Sequence, residues 1–127
     1  MILGIGLDII ETARVESKLL NNRFLDKIYT SSEQAYILRR KQNGQSAAGI
    51  FAAKEAVSKA LGTGFGTIGW TDIEIVQDPK GKPYVNLSGA AKQRLEEMGG
   101  KQVLVSITHI KDLAAAQVII DSEAPET

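Results

Sequence analysis

The sequence contains no cysteine and only one histidine, His109, among its 127 residues. Without cysteine there can be no disulfide framework, no thiolate metal site and no thiol nucleophile. Any metal must therefore be held by oxygen ligands or by His109, which favours a hard ion such as magnesium over zinc.

Long hydrophobic runs are also lacking. The longest apolar stretches are far too short to cross a bilayer, and no charged and then apolar leader precedes a cleavage site. The composition, 43% hydrophobic and 24% charged, is typical of globular proteins rather than disordered ones. We therefore expect a soluble cytoplasmic protein, with a single domain over residues 1–127 and no membrane partner.

Neither sign of charge is in excess, since 15 Lys and Arg balance 15 Asp and Glu. The halves differ, because residues 1–66 carry nine basic and six acidic side chains (net +3) and residues 67–127 carry six and nine (net −3). An anionic partner fits the first half, which includes the run Arg39-Arg40-Lys41. Nucleic acid is not expected as a partner, because the imbalance is mild and aromatic residues are few.

The local patterns predict an α+β fold, with a mostly antiparallel sheet packed against one long central helix plus shorter helices. Apolar residues 1–10 predict a buried strand, and Thr12 is the candidate cap of a helix that extends to residue 20. Asn43-Gly44 predicts a turn before the central helix. The other predicted elements are a short helix at 23–29, a capped helix at 30–41, a hairpin of strands 72–78 and 83–87, a helix at 89–98, and a second hairpin of strands 103–110 and 113–120.

The rest of the chain is organised around residues 46–66, SAAGIFAAKEAVSKALGTGFG. This run of helix formers breaks at glycines. On a helix, Glu55 and Lys59 lie on one face, one turn apart, and the small residues around them let another backbone or a ligand come close. A solvated ion pair between Glu55 and Lys59 is the ordinary interpretation of this spacing.

Asp8 suggests a second interpretation. It is flanked by Leu7, Ile9 and Ile10, and a lone carboxylate in apolar surroundings is costly or has a shifted pKa. Asp8 must therefore cap a turn, pair with a nearby lysine or bind a metal. If the strand packs on the helix, Asp8 and Glu55 would supply half of an oxygen-only magnesium site, which waters and phosphate oxygens would complete.

Three further groups fit a phosphate-containing substrate. Lys59 is placed to reach a phosphate, and the loop 62–64 offers backbone N–H groups. His109, near the end of a strand, either donates to a phosphate oxygen or is structural. The residues thus suggest magnesium-assisted transfer or hydrolysis at a phosphate or pyrophosphate.

Three blocks carry a family resemblance: GIGLDIIETARV at 4–15, FAAKEAVSKALGTGFG at 51–66 and VSITHIKDLAAAQVII at 105–120. In this order they resemble the holo-acyl-carrier-protein synthases, the small bacterial type of 4′-phosphopantetheinyl transferase. The resemblance implies an enzyme of fatty acid biosynthesis that moves the phosphopantetheine arm of coenzyme A onto a serine of apo-acyl carrier protein and releases adenosine 3′,5′-bisphosphate. The rival interpretations are a non-catalytic module that binds coenzyme A or a nucleotide, and a magnesium-dependent pyrophosphate hydrolase.

The resemblance also implies roles for the candidate residues. Asp8 and Glu55 match the Mg²⁺ ligands, and Lys59 matches a lysine that contacts the phosphates and assists the departing phosphate. Glu55 is the expected acceptor of the serine proton, directly or through a water. The expected contacts of coenzyme A are Arg39, Arg40, Lys59, Gly62, Gly64 and His109.

The family resemblance implies two protein partners. Arg14, Arg23 and Phe24 match the docking surface for the acidic recognition helix of acyl carrier protein. The second partner is the chain itself, in a homotrimer whose active sites lie at subunit interfaces. An exposed apolar face at residues 118–120 would be compatible with such a trimer.

Ile50 departs from the family pattern. Relatives usually carry an arginine at this position, directly before FAAKEA, where it meets the 3′-phosphate of coenzyme A. Either the Arg39-Arg40-Lys41 run supplies that contact, or the protein discriminates poorly between coenzyme A and its 3′-dephospho form. The substitution predicts weaker selectivity for the 3′-phosphate than relatives have.

Overall fold

The larger sheet has three antiparallel strands in the order β1 (Ile2–Glu11), β5 (Leu113–Asp121) and β4 (Gln102–His109). A computed structural model describes this sheet and the rest of residues 1–126. Because β5 lies in the middle, β1 and β4 form the two edges. Asp8 of β1 stands opposite Ala116 of β5.

The central helix α4 (Asn43–Leu61) packs on one face of this sheet at very short range. A Cβ added to Gly6 would overlap the carbonyl oxygen of Ala56, and a Cβ added to Gly4 would overlap that of Ala60. Strand β1 and helix α4 therefore touch backbone to backbone. The small residues of both segments make this contact possible, as the sequence predicted.

Helix α4 ends where predicted but begins earlier. Gly62 has a φ of 75°, the left-handed conformation that closes helices and favours glycine. The predicted turn at Asn43-Gly44 is wrong, because both residues belong to the first turn of α4. Gly44 packs directly against the carboxylate of Glu16, a tertiary contact that no local pattern predicts.

The helix predicted over residues 12–20 is shorter than expected. Helix α1 (Thr12–Glu16) has five residues, and i→i+3 hydrogen bonds from the Lys18 and Leu19 amides turn the chain directly after it. Thr12 is the first helical residue rather than the cap, because Glu11 occupies the cap position.

The next two helices agree with the sequence patterns. Helix α2 (Asn22–Ile28) begins at the Asn21 side chain, which accepts a hydrogen bond from the Phe24 amide. Helix α3 (Ser31–Arg39) begins with a capping box between Thr30 and Glu33, as predicted.

The predicted hairpin at residues 72–87 is confirmed, with strands β2 (Ile73–Gln77) and β3 (Pro83–Leu87). Helix α5 (Gly89–Glu97) follows. The strand pairs are antiparallel, which confirms the predicted fold class, but the strands are divided between a three-stranded and a two-stranded sheet. None of the helices within residues 1–126 is long and apolar enough to span a membrane.

The face of the large sheet opposite α4 is apolar and open. On β1, Ile5, Leu7 and Ile9 are 69%, 66% and 63% exposed, and Leu104 of β4 is 47% exposed on the same side. The prediction that residues 1–10 form a buried strand therefore holds for one face only.

Residues 118–120, where an exposed apolar face would have been compatible with a trimer, do not form such a face together. Val118 and Ile120 are fully buried in the core beneath α4, because alternate residues of a strand face opposite sides of the sheet. Ile119, between them, pairs with Ile5 of β1 and Leu104 of β4, whose side chains are on the open face.

Candidate functional site

A cavity of about 320 Å³ lies where β1 meets α4. It brings together Asp8, Glu55 and Lys59, the residues from which the sequence predicted a magnesium and phosphate site. The lining residues are Asp8, Ile9, Ile10, Arg14, Val15, Lys18, Phe24, Phe51, Glu55 and Lys59. We call this space the reaction cavity.

Strand alternation and helical spacing place the charged groups in the reaction cavity. Gly4, Gly6 and Asp8 are on the side of β1 that faces α4. On α4, Glu55 and Lys59 are one turn apart. The backbone contact at the two glycines therefore brings Asp8 to the helix residues.

Lys59 pairs with Asp8. Its ammonium donates hydrogen bonds to Asp8 Oδ1 at 3.1 Å and to the carbonyl oxygen of Leu7 at 2.9 Å. No ion pair between Lys59 and Glu55 occurs in residues 1–126. The ordinary interpretation of the Glu55–Lys59 spacing, a direct solvated pair, is thus wrong, because the lysine reaches across to the strand.

Glu55 has an electrostatically unfavourable environment. Burial raises the pKa of its carboxyl, and the negative charge of Asp8 raises that pKa further, while Lys59 lowers it. Two carboxylates that repel each other beside one lysine form a site whose charge a cation would balance.

The donor set of the reaction cavity fits Mg²⁺. Among residues 1–126, no group of three or more His, Cys, Asp or Glu side chains is placed to hold a metal ion. Zinc or calcium would need more protein ligands than Asp8 and Glu55 supply. Magnesium commonly takes one or two carboxylates and keeps the remaining positions for waters and substrate phosphates.

The other predicted coenzyme A contacts lie elsewhere in the chain. Arg39, Arg40, Lys41 and His109 border a cavity of about 360 Å³, and a smaller one of about 220 Å³ shares Arg40 and His109. Among residues 1–126, no carboxylate lines either cavity. We call the two together the basic cavities. They lie at the β4 edge of the sheet, whereas the reaction cavity lies at the β1 edge.

Ile50, which replaces the family's usual arginine, is 2% exposed. It lines the smaller basic cavity together with Arg40 and His109. Arg40 also lies over the ring of Tyr36, with 5.4 Å between the guanidinium carbon and the ring centroid. A guanidinium is therefore present close to the position where the usual arginine is missing.

The glycine loop after α4 is largely occupied by the helix end. The Gly62 amide donates to the carbonyl oxygens of Ser58 and Lys59, and the Thr63 amide donates to that of Ser58. These two amides, which the sequence suggested as free donors, close the helix instead. Gly64 has a φ of 68° and open space around its Cα. Neither Gly62 nor Gly64 borders the reaction cavity, and their contact with coenzyme A stays a prediction.

The predicted docking residues divide into two groups. Arg14 and Phe24 line the reaction cavity, whereas Arg23 is exposed on α2 outside the lining. The structure adds Lys18, whose ammonium lies 5.3 Å from the centroid of the Phe24 ring, and Phe51. Helical spacing offered a signal for Phe51, which is four residues before Glu55 on α4. Lys18 lies beyond the end of α1, so the turn after that helix places it and helical spacing does not.

The fold and the site together define a small α+β transferase built on a strand–helix junction. The chain belongs to the 4′-phosphopantetheinyl transferase superfamily, whose family model matches residues 4–118. A holo-[acyl-carrier-protein] synthase of Alkaliphilus oremlandii is 48% identical over 120 residues, which cover 94% of this chain and 98% of that protein.

Solved structures agree in fold over nearly the whole chain. The holo-[acyl-carrier-protein] synthase of Bacillus anthracis, solved in complex with CoA (3′,5′-ADP), has 39% identity and a TM-score of 0.81, covering 97% of this chain and 99% of that one. The Helicobacter pylori holo-[acyl-carrier-protein] synthase, solved in complex with coenzyme A, has 34% identity and a TM-score of 0.80, with coverage of 92% and 99%.

Proposed function

We propose that the chain transfers the 4′-phosphopantetheine moiety of coenzyme A to a serine of apo-acyl carrier protein and releases adenosine 3′,5′-bisphosphate. The observation that carries the proposal is the meeting of Asp8, Glu55 and Lys59 in one cavity of a phosphopantetheinyl transferase fold. A role in fatty acid biosynthesis and a cytoplasmic location belong to the same proposal.

Asp8 and Glu55 would hold Mg²⁺ in this reaction. When bound, the ion supplies positive charge to the pyrophosphate of coenzyme A. Lys59, which is 53% exposed at its side chain, can reach the phosphates from the Asp8 side of the cavity. It balances the negative charge that grows on the departing phosphate oxygen.

Glu55 is the group of this chain best suited to take the serine proton. It lines the reaction cavity beside Asp8 and Lys59, and it would take the proton directly or through a water, the route that the family resemblance implies. The bond between the serine oxygen and the attacked phosphorus forms as the bond to the bridging pyrophosphate oxygen breaks. The proton moves to Glu55, and the electron pair leaves with adenosine 3′,5′-bisphosphate.

The rim of the reaction cavity suits an acidic acceptor protein. Arg14 and Lys18 form no ion pair with any carboxylate in residues 1–126. Both line the cavity beside Phe24, and Arg23 extends the basic surface on α2. Free cations beside an apolar ring can steer and hold an acidic helix.

We also propose that the active form is a homotrimer with sites between subunits. The reaction cavity and the basic cavities lie at opposite edges of one sheet, and the residues expected to contact coenzyme A are divided between them. A head-to-tail interface over the open apolar face would bring the β1 edge of one subunit to the β4 edge of the next. Such an interface joins two different surfaces and forms a closed trimer when each subunit is rotated by a third of a turn from the last, whereas a twofold interface joins two identical surfaces.

We propose that Arg40 contacts the 3′-phosphate of coenzyme A, in place of the arginine that relatives usually carry at the position of Ile50. Its position beside Ile50 and His109 favours this alternative over the weak selectivity that the sequence predicts. We expect wild type to prefer coenzyme A over dephospho-coenzyme A and Arg40→Gln to lose most of that preference. The ratio of kcat/KM for the two donors measures this. Equal use of both donors by wild type would contradict it.

The transfer reaction itself can be tested by mass spectrometry of the acceptor. The protein is incubated with Mg²⁺, coenzyme A and apo-acyl carrier protein, and the intact carrier is weighed. We expect the carrier to gain one phosphopantetheine group while adenosine 3′,5′-bisphosphate appears. Release of the nucleotide without a gain in carrier mass would mean hydrolysis, and neither product would mean a non-catalytic binding module.

A further inference from the structure

A fully buried ion pair lies outside the reaction cavity. The side chains of Glu33 on α3 and Lys54 on α4 are both 0% exposed, and Lys54 Nζ is 2.7 Å from Glu33 Oε1. The sequence suggested only a capping role for Glu33, and Lys54 had no assigned role. An ion pair this deeply buried is costly to desolvate, so stability alone is a weak reason for its presence.

Every donor of the Lys54 ammonium is used. Besides Glu33, it donates to the carbonyl oxygens of Trp70 at 3.0 Å and Ile73 at 2.6 Å. Glu33 in turn accepts from the amides of Thr30 at 2.8 Å and Ile75 at 2.7 Å. With its donors saturated, Lys54 is not available to bind a ligand. It ties α4 to the 3₁₀ turn at Trp70–Asp72.

That turn contains Trp70, whose indole packs against an aromatic residue that lines the reaction cavity. The Trp70 ring packs against Phe51 with 4.9 Å between centroids, and it also stacks on Phe65 with 3.6 Å between centroids. Phe51 stacks on Phe24 at 6.5 Å, and both of these phenylalanines line the cavity. Phe51 also precedes Glu55 by one helical turn.

We propose that Lys54 and Trp70 are positioning residues for the acceptor side of the reaction cavity. Lys54 holds the backbone of Trp70, Trp70 supports Phe51, and Phe51 with Phe24 forms the apolar wall that meets the carrier protein beside Glu55. The inference rests on the proposed transfer function. It predicts that replacing Lys54 or Trp70 impairs the use of the carrier protein and has little effect on the binding of coenzyme A.

The first test removes the indole without disturbing the buried charges. We expect Trp70→Leu to lower kcat/KM for apo-acyl carrier protein about tenfold, a smaller effect than displacement of a catalytic group, and to leave KM for coenzyme A unchanged. Trp70→Phe, which keeps a ring against Phe51, should retain most of the activity. Tyr84→Leu, an aromatic replacement at an exposed site outside the stack, is the matched control.

A double-mutant cycle separates positioning from general destabilisation. If Trp70 acts through Phe51, the double variant Phe51→Leu/Trp70→Leu should be no slower than Phe51→Leu alone. Losses in kcat/KM that multiply in the double variant would overturn the inference. So would a Trp70→Leu protein with wild-type kcat/KM for the carrier.

The link from Lys54 to Trp70 can be measured directly, because Trp70 is the sole tryptophan. Replacing both charges, as Glu33→Leu/Lys54→Met, avoids leaving one unpaired charge in the core. We expect a shift in tryptophan emission and the same carrier-specific loss as in Trp70→Leu. Unchanged emission would overturn the link. Wild type in the same assay distinguishes failure of the proposed function from failure of the inference. If wild type transfers nothing, both the proposed function and the inference fail. If wild type and Trp70→Leu are equally active, only the inference fails.

Discussion

At the scale of single residues, three charged side chains determine the chemistry of the reaction cavity. Asp8 and Glu55 line the same cavity, and Lys59 neutralises Asp8 through a 3.1 Å contact rather than pairing with its helical neighbour. Glu55 is left with a raised pKa because burial and Asp8 both disfavour its negative charge. This arrangement costs stability in the metal-free protein and favours binding of a cation.

The ionised carboxylate of Glu55 should therefore lower the free energy of unfolding of the metal-free protein at neutral pH. A carboxyl whose pKa is higher in the folded than in the unfolded state stabilises the fold most below its unfolded pKa, and this contribution is lost as pH rises through the folded pKa. We expect Glu55→Gln to melt at a higher temperature than wild type at pH 7 in EDTA, and the difference to vanish near pH 4.

Thermal denaturation followed by circular dichroism measures this difference, and Glu96→Gln on the exposed face of α5 is the matched control. Addition of Mg²⁺ should raise the melting temperature of wild type but not that of Glu55→Gln. A variant less stable than wild type at pH 7 without metal would contradict the electrostatic description.

At the scale of secondary-structure elements, the contact between β1 and α4 sets the distance between the two carboxylates. Gly4 and Gly6 touch the carbonyl oxygens of Ala60 and Ala56, the helix residues beside Lys59 and Glu55. Side chains larger than hydrogen at these strand positions would push β1 away from the helix. The glycines of this strand therefore act on the site through spacing.

A substitution at Gly6 should separate the carboxylates. We expect Gly6→Ala to be destabilised by about 1–3 kcal/mol or more, as in other overpacked cores, and to need a higher Mg²⁺ concentration for half-maximal rate. Gly69→Ala is the control, because its added Cβ would make ordinary contacts at 3.6 Å and its φ is negative. Urea denaturation and magnesium titration of the rate measure both effects. An unchanged magnesium requirement in folded Gly6→Ala would refute the spacing role.

Many boundaries of the helices and strands were predictable from the local sequence. The end of α4 at Gly62 and the capping box at Thr30 follow from residue types whose conformational preferences are strong. The start of α4 was missed because Gly44 packs against Glu16, a residue 28 positions earlier, and no local pattern shows such a contact. The same limit explains why the capping pattern that includes Glu33 was predicted whereas the pairing of Glu33 with Lys54 was not.

At the scale of the whole molecule, the predicted site residues form two separate groups. Asp8, Glu55 and Lys59 meet in one cavity, but His109 and Arg40 border others at the far edge of the sheet. The sequence could not show that the site residues form two groups. Each candidate was chosen by its residue type and its match to the family pattern, and neither reports the distance between side chains in the fold. Nor could the sequence identify the covered face of β1, because Gly4, Gly6 and Asp8 face α4 while the larger apolar side chains of this strand are on the open face.

Subunit mixing tests whether the two groups meet between chains. Glu55→Gln keeps the basic cavities intact, and the double variant Arg40→Gln/His109→Ala keeps the reaction cavity intact. If each site takes one half from each of two subunits, unfolding and refolding an equal mixture should restore roughly a quarter of wild-type activity, because random assembly pairs intact halves that often. The transfer assay before and after refolding measures this. Activity no greater than the sum of the separate variants would contradict interfacial sites.

The central claim is that Asp8 and Glu55 together hold the Mg²⁺ on which transfer depends. The most direct measurement is the initial rate of carrier modification against Mg²⁺ concentration for wild type, Asp8→Asn, Glu55→Gln and the control Glu96→Gln. We predict saturable activation of wild type and control, and no transfer by either site variant although both remain folded by circular dichroism. Wild-type rates in either site variant at limiting Mg²⁺ would contradict the account.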